Sequence, residues 1–136
     1  MSAAHHFPIR VYYEDTDFSG VVYHASYLRF LERGRTEFLR AQDVHQSALH
    51  AADGSPIAFA VRKMAIDFIR PARMDDELIV ETRIAKVGGA SIEMAQRILR
   101  GAEDLIVADV RIAVVSYGKA QRLPPTILTK LGLSDA

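Results

Sequence analysis

One segment of this chain, from His24 to Arg40, has the apolar spacing of an α-helix, whereas the other patterned segments alternate with a period of two. Apolar residues recur three and four positions apart along it, at Tyr27, Leu31, Gly34, Phe38 and Ala41. At about 1.5 Å per residue such a helix is roughly 25 Å long, as long as a sheet of several strands is wide. We therefore expect it to cover one face of a sheet.

Gly34 lies within the apolar stripe, where glycine costs about 1 kcal/mol of helix propensity relative to alanine. We expect close approach to another backbone to compensate for that cost. The helix is therefore predicted to pack tightly on the sheet.

Alternating apolar and polar residues, separated by turn formers, predict five strands, near residues 9–14, 64–70, 78–84, 92–98 and 106–114. The pair Gly88-Gly89 is predicted to form a hairpin turn with positive φ angles, and Pro71 to end the second strand. Residues 42–56 suggest a short helix and a loop, and Thr126 to Leu131 a terminal helical turn. Without repeated strand–helix–strand units, the sheet is predicted to be antiparallel.

Length and charge limit the classes of protein and partner. The 136 residues predict a single domain spanning 1–136. Lys plus Arg and Asp plus Glu both number 17, so no net basic field favours a nucleic-acid partner. The longest apolar run, Ile57 to Val61, is too short for a membrane span, and the start lacks a secretory signal. We therefore expect a cytoplasmic protein.

The absence of cysteine excludes disulfides, thiolate catalysis and cysteine-ligated zinc. His45 and His50 do not have the spacing of two ligands on one helix face, so no metal site is predicted. A nucleophile in this protein must be oxygen, nitrogen or water.

Reactive side chains are densest between the first strand and the helix, at Tyr13, Glu14, Asp15, Asp17, Ser19, Tyr23 and His24. A helix N-terminus presents unpaired N–H groups and a partial positive charge. A carboxylate beside such an anion-stabilising end suits acyl transfer, in which negative charge develops on a carbonyl oxygen. This loop is the candidate site.

Three interpretations of the loop are open. Asp15 or Asp17 could serve only as a turn former or helix cap. Asp15, Asp17, Ser19 and Gly20 also match the early positions of a calcium loop, but Ser26 stands where that motif requires glutamate.

The third interpretation is catalytic. It draws on His24 and Arg35, which fall in the apolar sector of the helix, where polar groups need partners. A satisfied core histidine and an ion-paired arginine are the alternatives for these two residues. Glu37, at the edge of the apolar sector, is the reserve catalytic carboxylate.

The segment from Tyr12 to Glu37, YYEDTDFSGVVYHASYLRFLERGRTE, resembles the 4-hydroxybenzoyl-CoA thioesterase family. Within that family it is most similar to the YbgC-type acyl-CoA thioesterases, which are associated with the Tol–Pal cell-envelope system. The resemblance implies an α+β hot-dog fold, with an antiparallel five-stranded sheet wrapped around one long central helix. It also implies a homo-oligomer, dimer or tetramer, with active sites at the subunit interface.

Carried over by position, the resemblance implies that Asp17 is the catalytic carboxylate and that Tyr13 and His24 belong to the site. The backbone N–H of His24 would polarise the thioester carbonyl. Asp17 would either attack the carbonyl carbon or act as general base on water.

The implied substrates are short-chain or aromatic acyl-CoA, or acyl-carrier-protein thioesters, cleaved without metal or cofactor. The alternative is a non-catalytic acyl-thioester binding or scaffold protein of the envelope machinery.

Two features depart from relatives in the family. The turn from Val87 to Ala90 lacks the basic cluster that some relatives use to hold the coenzyme A phosphates. The candidates for that role here are Arg62, Lys63, Arg70 and Arg73, with solvated surface charge as the alternative. Phe18 is larger than the residue often found after the catalytic aspartate, and we expect it to narrow the acyl pocket.

Overall fold

The computed structural model describes residues 3–51 and 56–133. Its elements, in chain order, are β1 (His5–Arg10), a 3-10 turn (Tyr13–Asp15), α1 (His24–Ala41), α2 (Gln46–His50), β2 (Ala58–Phe68), β3 (Glu77–Val87), β4 (Ser91–Arg100), β5 (Glu103–Ser116), β6 (Lys119–Ala120) and α3 (Pro125–Lys130). The short helix and the terminal helical turn expected from the sequence are therefore present. Part of the predicted 42–56 loop, residues 52–55, lies outside the described residues.

The five long strands form one antiparallel sheet in the order β1-β3-β4-β5-β2. The two-residue β6 pairs with the end of β5. It follows a turn in which Tyr117 and Gly118 both have positive φ, and the alternation pattern did not indicate it. The predicted antiparallel sheet with one long helix is confirmed.

Helix α1 begins at His24, as predicted, and packs its apolar stripe on the sheet. A Cβ at Gly34 would collide with Val80 Cγ1 and lie 3.2 Å from Thr82 Oγ1. The helix thus packs tightly on the sheet as predicted, but the expected approach to a backbone was wrong, because the atoms nearest to Gly34 belong to β3 side chains.

The inner faces of β4 and β5 form the other half of the core. Alternate residues on these strands are buried, at Ile92, Met94, Gln96, Ile98, Ile106, Ala108, Val110, Ile112 and Val114. The apolar residues of this set make one continuous cluster with Phe30, Leu31 and Phe38 of α1. Each fully buried large side chain contributes about 1.5–3 kcal/mol of transfer free energy, so this cluster holds the helix in place.

The predicted start of the second strand was wrong, because β2 begins at Ala58 rather than near Met64. The pairing of β2 with β5 shifts register between Val61 and Lys63, which marks a β-bulge. The bulge interrupts the alternation, so the apolar residues before it do not continue the period of those after it. The strand also ends at Phe68, before Arg70.

The predicted first strand was displaced. It runs over His5–Arg10 rather than 9–14, and Tyr13 with Glu14 lies in the 3-10 turn. The Gly88-Gly89 hairpin joins β3 to β4 as predicted, but neither glycine has a positive φ. Because a third residue completes this connection, the two-residue turn types that require positive φ do not apply.

Candidate active site

Asp15 ties the candidate loop together. Its side chain is buried, and Oδ2 accepts the N–H of Tyr12 at 2.9 Å. Its carbonyl accepts the N–H of Tyr23 at 2.9 Å and the hydroxyl of Ser26 at 3.0 Å. One residue therefore joins the 3-10 turn, the returning loop and the first turn of α1. Asp15 therefore has the turn-forming role that was one of the three interpretations of the loop.

Asp17 lies exposed in the loop that Asp15 anchors. Its Oδ1 accepts the hydroxyl of Ser19 at 2.6 Å and the N–H of Ser19 at 2.8 Å. These two hydrogen bonds hold the pKa of the Asp17 carboxyl below its ordinary value, and the bond from the Ser19 hydroxyl has the larger effect. The N–H of Asp17 bonds to the Val21 carbonyl at 3.0 Å, which closes the loop. Asp17 is therefore an ionised carboxylate on a fixed backbone.

Tyr13 and Asp17 line the same open depression, whose volume is about 680 Å³. The other lining residues are Thr16, Phe18, Gly20, Tyr23 and Met74. Tyr23 immediately precedes α1, so the depression reaches the start of the helix. The structure therefore brings two of the three predicted catalytic residues to one surface beside the helix N-terminus.

His24, the first residue of α1, does not line this depression. Its ring packs against Phe68 at the end of β2, with the centroids 4.7 Å apart, and its side chain is exposed rather than directed at the core. No side chain caps α1, and no acceptor among residues 3–51 and 56–133 bonds to the His24 N–H. That N–H is free to donate to a ligand.

The four candidate phosphate-binding residues do not form one cluster within the chain. Arg70 and Arg73 lie between β2 and β3, and Arg73 forms a backbone bridge with Val21 beside the depression. Arg70 is partly neutralised by Glu103, with Nε 3.4 Å from Oε2. Arg62 and Lys63 lie at the bulge of β2, roughly 20 Å along the strand from its end near His24.

Arg35 is buried in the middle of α1, as its place in the apolar sector suggested. Its partner is a neutral amide rather than a carboxylate, since Nη1 donates to Gln96 Oε1 at 3.0 Å. The reserve carboxylate Glu37 pairs with Arg40 and lines a different cavity, beside β1. It lies roughly 20 Å along the helix axis from His24.

Sequence reasoning missed two contributors to the region. Met74 lines the depression, and it was missed because the segment around it has no apolar pattern. The buried Tyr27 hydroxyl accepts the N–H of Ala72 at 2.9 Å, which fixes the segment before Met74 against α1. Burial raises the pKa of the Tyr27 phenol, so the hydroxyl remains neutral. Neither contact has a local sequence signal, because each joins residues far apart in the chain.

The two loop carboxylates point to different partners, Asp15 to Tyr12 and Asp17 to Ser19. Within the described part of the chain, no three histidine, aspartate or glutamate residues are grouped to hold a metal ion. The geometry of these carboxylates therefore does not support the calcium-loop interpretation. No helix in the same part of the chain is long and apolar enough to cross a membrane.

Comparison with known proteins extends this description. Residues 11–131 match the family model of the thioesterase-like superfamily. The chain is 49% identical to the acyl-CoA thioesterase YbgC of Haemophilus influenzae over 113 residues, 83% of this chain and 82% of that protein. It is 44% identical to the acyl-CoA thioester hydrolase YbgC of Escherichia coli over 127 residues, 90% and 92% of the two chains. A crystal structure described as a probable thioesterase from Bartonella henselae has a TM-score of 0.86 at 49% identity, covering 90% and 100%.

The antiparallel sheet of this chain curls around one long helix, which is the hot-dog fold. The family model spans nearly the whole chain, and the chain belongs to the thioesterase-like superfamily. The resemblance, the fold and the enzyme class of thioester hydrolase that the sequence predicted are thereby confirmed.

Proposed function

We propose that this protein is a cytoplasmic acyl-CoA thioesterase that cleaves short-chain or aromatic acyl groups from coenzyme A or acyl carrier protein. The observation that supports this most strongly is the ionised Asp17 carboxylate in a depression that reaches the open N-terminus of α1. The relatives from Haemophilus influenzae and Escherichia coli carry acyl-CoA thioesterase names. No metal or cofactor enters the proposed reaction.

In the proposed reaction the thioester carbonyl lies between Asp17 and the His24 N–H. The N–H donates to the carbonyl oxygen as negative charge develops there, and such donors are typically worth about 10²–10³ in rate. Tyr13, on the same depression as Asp17, orients the carboxylate or the attacking water through its hydroxyl. The His24 side chain, packed against Phe68, fixes the start of the helix.

Two chemical routes remain for Asp17. As nucleophile, a carboxylate oxygen bonds to the carbonyl carbon, the carbon–sulfur bond breaks, the thiolate leaves, and water hydrolyses the mixed anhydride. As general base, Asp17 takes a proton from water while the water oxygen bonds to the carbonyl carbon. The carbon–sulfur bond then breaks, and the proton passes from Asp17 to the departing thiolate. Multiple turnovers in H₂¹⁸O, followed by mass spectrometry of the Asp17 peptide, distinguish them, because only the nucleophilic route can leave ¹⁸O in the carboxylate.

A second copy of the chain completes the proposed site. Among the residues that the structure describes, no strand pairs with the outer edge of β2. Val61 and Phe68 of this strand, and Ile69 just after it, are half-exposed apolar residues. Long apolar edge strands are normally covered. Pairing of β2 with its counterpart in a dimer would shield these residues and the adjacent His24 end of α1. The same pairing would carry Arg62 and Lys63 towards the neighbouring subunit's depression, where they would join Arg70 and Arg73 in holding coenzyme A phosphates.

The experiment that tests this function is hydrolysis of a panel of acyl-CoA thioesters by the native protein, monitored by thiol release. Short aliphatic and aromatic acyl groups should be cleaved, and long chains less well. Cleavage of the matching acyl-carrier-protein thioesters would extend the substrate class. Binding of acyl-CoA without turnover of any panel member would instead indicate the scaffold role.

A further inference from the structure

A turn at residues 73–76, between β2 and β3, carries Met74 to the edge of the depression at Asp17. The N–H of Asp76 donates to the Arg73 carbonyl at 3.1 Å, which closes the turn. Asp75 has a φ of 70°, in the left-handed region that favours glycine. A non-glycine residue keeps such a backbone where surrounding contacts hold it, so those contacts decide where Met74 lies.

The turn is also joined to the loop that carries Asp17. Val21 and Arg73 form an antiparallel backbone bridge, and the N–H of Val22 donates to the Ala72 carbonyl at 2.8 Å. The carbonyl of Val21 accepts the N–H of Asp17 at 3.0 Å. The backbone of Asp17 is therefore fixed to the segment that forms the turn, and a displaced turn would displace the carboxylate.

Arg100, the last residue of β4, holds this turn on the sheet. Its Nη1 donates to Asp76 Oδ2 at 2.8 Å and to the Pro71 carbonyl at 3.3 Å. The same Asp76 oxygen accepts the N–H of Arg73 at 2.9 Å, so the carboxylate links the guanidinium to the first residue of the turn. Nη2 donates to Glu103 Oε1 at 3.3 Å across the β4–β5 hairpin, which steadies the guanidinium.

The bond between Arg100 and Asp76 is charge-assisted and partly shielded from water. The Arg100 side chain is 33% exposed and the Asp76 side chain 23%. Burial opposes ionisation of Asp76, but the hydrogen bonds from the Arg73 N–H and from Arg100 outweigh it and hold the pKa of the carboxyl below its ordinary value. The pair therefore stays ionised at neutral pH, and charge-assisted bonds are about twice as strong as neutral ones.

We propose that Arg100 is a positioning residue for the candidate site. Through Asp76 it fixes the turn at residues 73–76, and through that turn it fixes the backbone of Asp17. Arg100 does not line the depression, so its influence on the carboxylate passes through these contacts. The effect on turnover that this implies rests on the proposed function, whereas the physical link does not.

Amide hydrogen exchange in the ¹⁵N-labelled full-length protein tests the link without reference to activity. Arg100→Met keeps the aliphatic stem of the side chain and removes every hydrogen-bond donor. The amide hydrogens of Asp17, Val22 and Ala72 should then exchange about tenfold faster, because local opening no longer has to break this pair. The amide of Val110, in the middle of β5, reports global opening and should change less.

The matched control is Arg97→Met. Arg97 lies on the same strand and pairs with Glu81 and Asp104, neither of which belongs to the turn. This variant should leave the three exchange rates within about twofold of the native values. Native rates in a folded Arg100→Met protein, or equal acceleration in Arg97→Met, would overturn the proposal.

Asp76→Asn is the second variant, because it removes the charge that Arg100 binds while keeping an oxygen that can accept the Arg73 N–H. It should accelerate the same three amides. Combining it with Arg100→Met should add no further acceleration, because both changes break one contact. Additive effects in the double variant would contradict the proposal. If Arg100→Met does not fold, native exchange rates in Asp76→Asn overturn the proposal by themselves.

For an acyl-CoA that the native protein cleaves, Arg100→Met should lower kcat by about tenfold to a hundredfold and leave KM nearly unchanged. The acidic limb of its pH–rate profile should stay in place, because Ser19 still donates to the Asp17 carboxylate. A shifted limb would show that Arg100 acts by its charge, and a native kcat beside accelerated exchange would show that the link has no part in turnover. Either result would overturn the proposal. If the native protein cleaves no acyl-CoA, the proposed function fails, and the exchange rates alone decide whether Arg100 positions the loop.

Discussion

The Asp17 carboxylate accepts two hydrogen bonds from Ser19, one from its hydroxyl at 2.6 Å and one from its N–H at 2.8 Å. Both bonds favour the ionised form and lower the pKa of Asp17. Ser19 thereby keeps the proposed catalytic group ionised into acidic solution, and this relationship can be tested through the pH dependence of activity.

Removing the Ser19 hydroxyl should raise the pKa of Asp17. Activity that requires the carboxylate is lost as pH falls through its pKa, so Ser19→Ala should move the acidic limb of kcat/KM to higher pH. Activity at neutral pH should fall less than about tenfold, because the Ser19 N–H remains. The measurement is the pH–rate profile of Ser19→Ala. The control is Ser47→Ala, which changes an exposed serine on α2. An unmoved acidic limb in an active Ser19→Ala protein would show that Asp17 is not the titrating group.

Asp15 should be a structural residue rather than a reactive one. Asp15→Ala leaves the Tyr12 N–H without its acceptor and should lower the free energy of unfolding by about 1–3 kcal/mol. Asp15→Asn retains an acceptor oxygen and should lose less. Urea titrations of both variants check the order, which would be contradicted if Asp15→Ala were as stable as the native protein.

Gly34→Ala should destabilise the fold although alanine is the better helix former. The new Cβ would collide with Val80 Cγ1, and overpacking of this kind costs about 1–3 kcal/mol against a propensity gain of about 1 kcal/mol. The double variant Gly34→Ala/Val80→Ala has a smaller side chain at position 80. It should be more stable than the sum of the two single-variant losses predicts. Thermal unfolding of the four proteins in the cycle measures this, and a stabilised Gly34→Ala would refute the packing argument.

In the oligomer proposed above, the outer edge of β2, which has no partner strand in the described ranges, should carry the subunit contact. Val61→Lys places a charge on that edge and should convert the oligomer to smaller species in light scattering coupled to size-exclusion chromatography. The matched control is Val107→Lys on β5, a strand paired on both sides. An unchanged mass for Val61→Lys with a changed mass for Val107→Lys would place the contact on the outer face of the sheet instead.

The sequence predicted α1 accurately because its signal is local. The helical period of Tyr27, Leu31 and Phe38 continues without interruption over the whole element. The strands were predicted well where the alternation is unbroken, as in β5, and poorly at the β2 bulge. The first strand was displaced because Val11 and Tyr13 continue the alternation, although the pairing of β1 ends at Arg10 and a 3-10 turn begins at Tyr13.

For the site, local sequence indicated the loop but not its surroundings. The order of Asp17 and His24 along the chain places a carboxylate before a helix, and a single sequence suffices to see it. Met74 and the Tyr27–Ala72 bond join residues distant in sequence, so only the folded chain reveals them. The neutral partner of Arg35, Gln96, was missed for the same reason.

The central claim is tested most directly by the turnover number of Asp17→Asn on an acyl-CoA that the native protein cleaves, beside the exposed control Asp109→Asn on β5. Loss of the carboxylate charge should lower kcat by about a thousandfold or more while acyl-CoA still binds, and Asp109→Asn should retain native activity. An Asp17→Asn protein that turns over within a few-fold of the native rate would contradict the account.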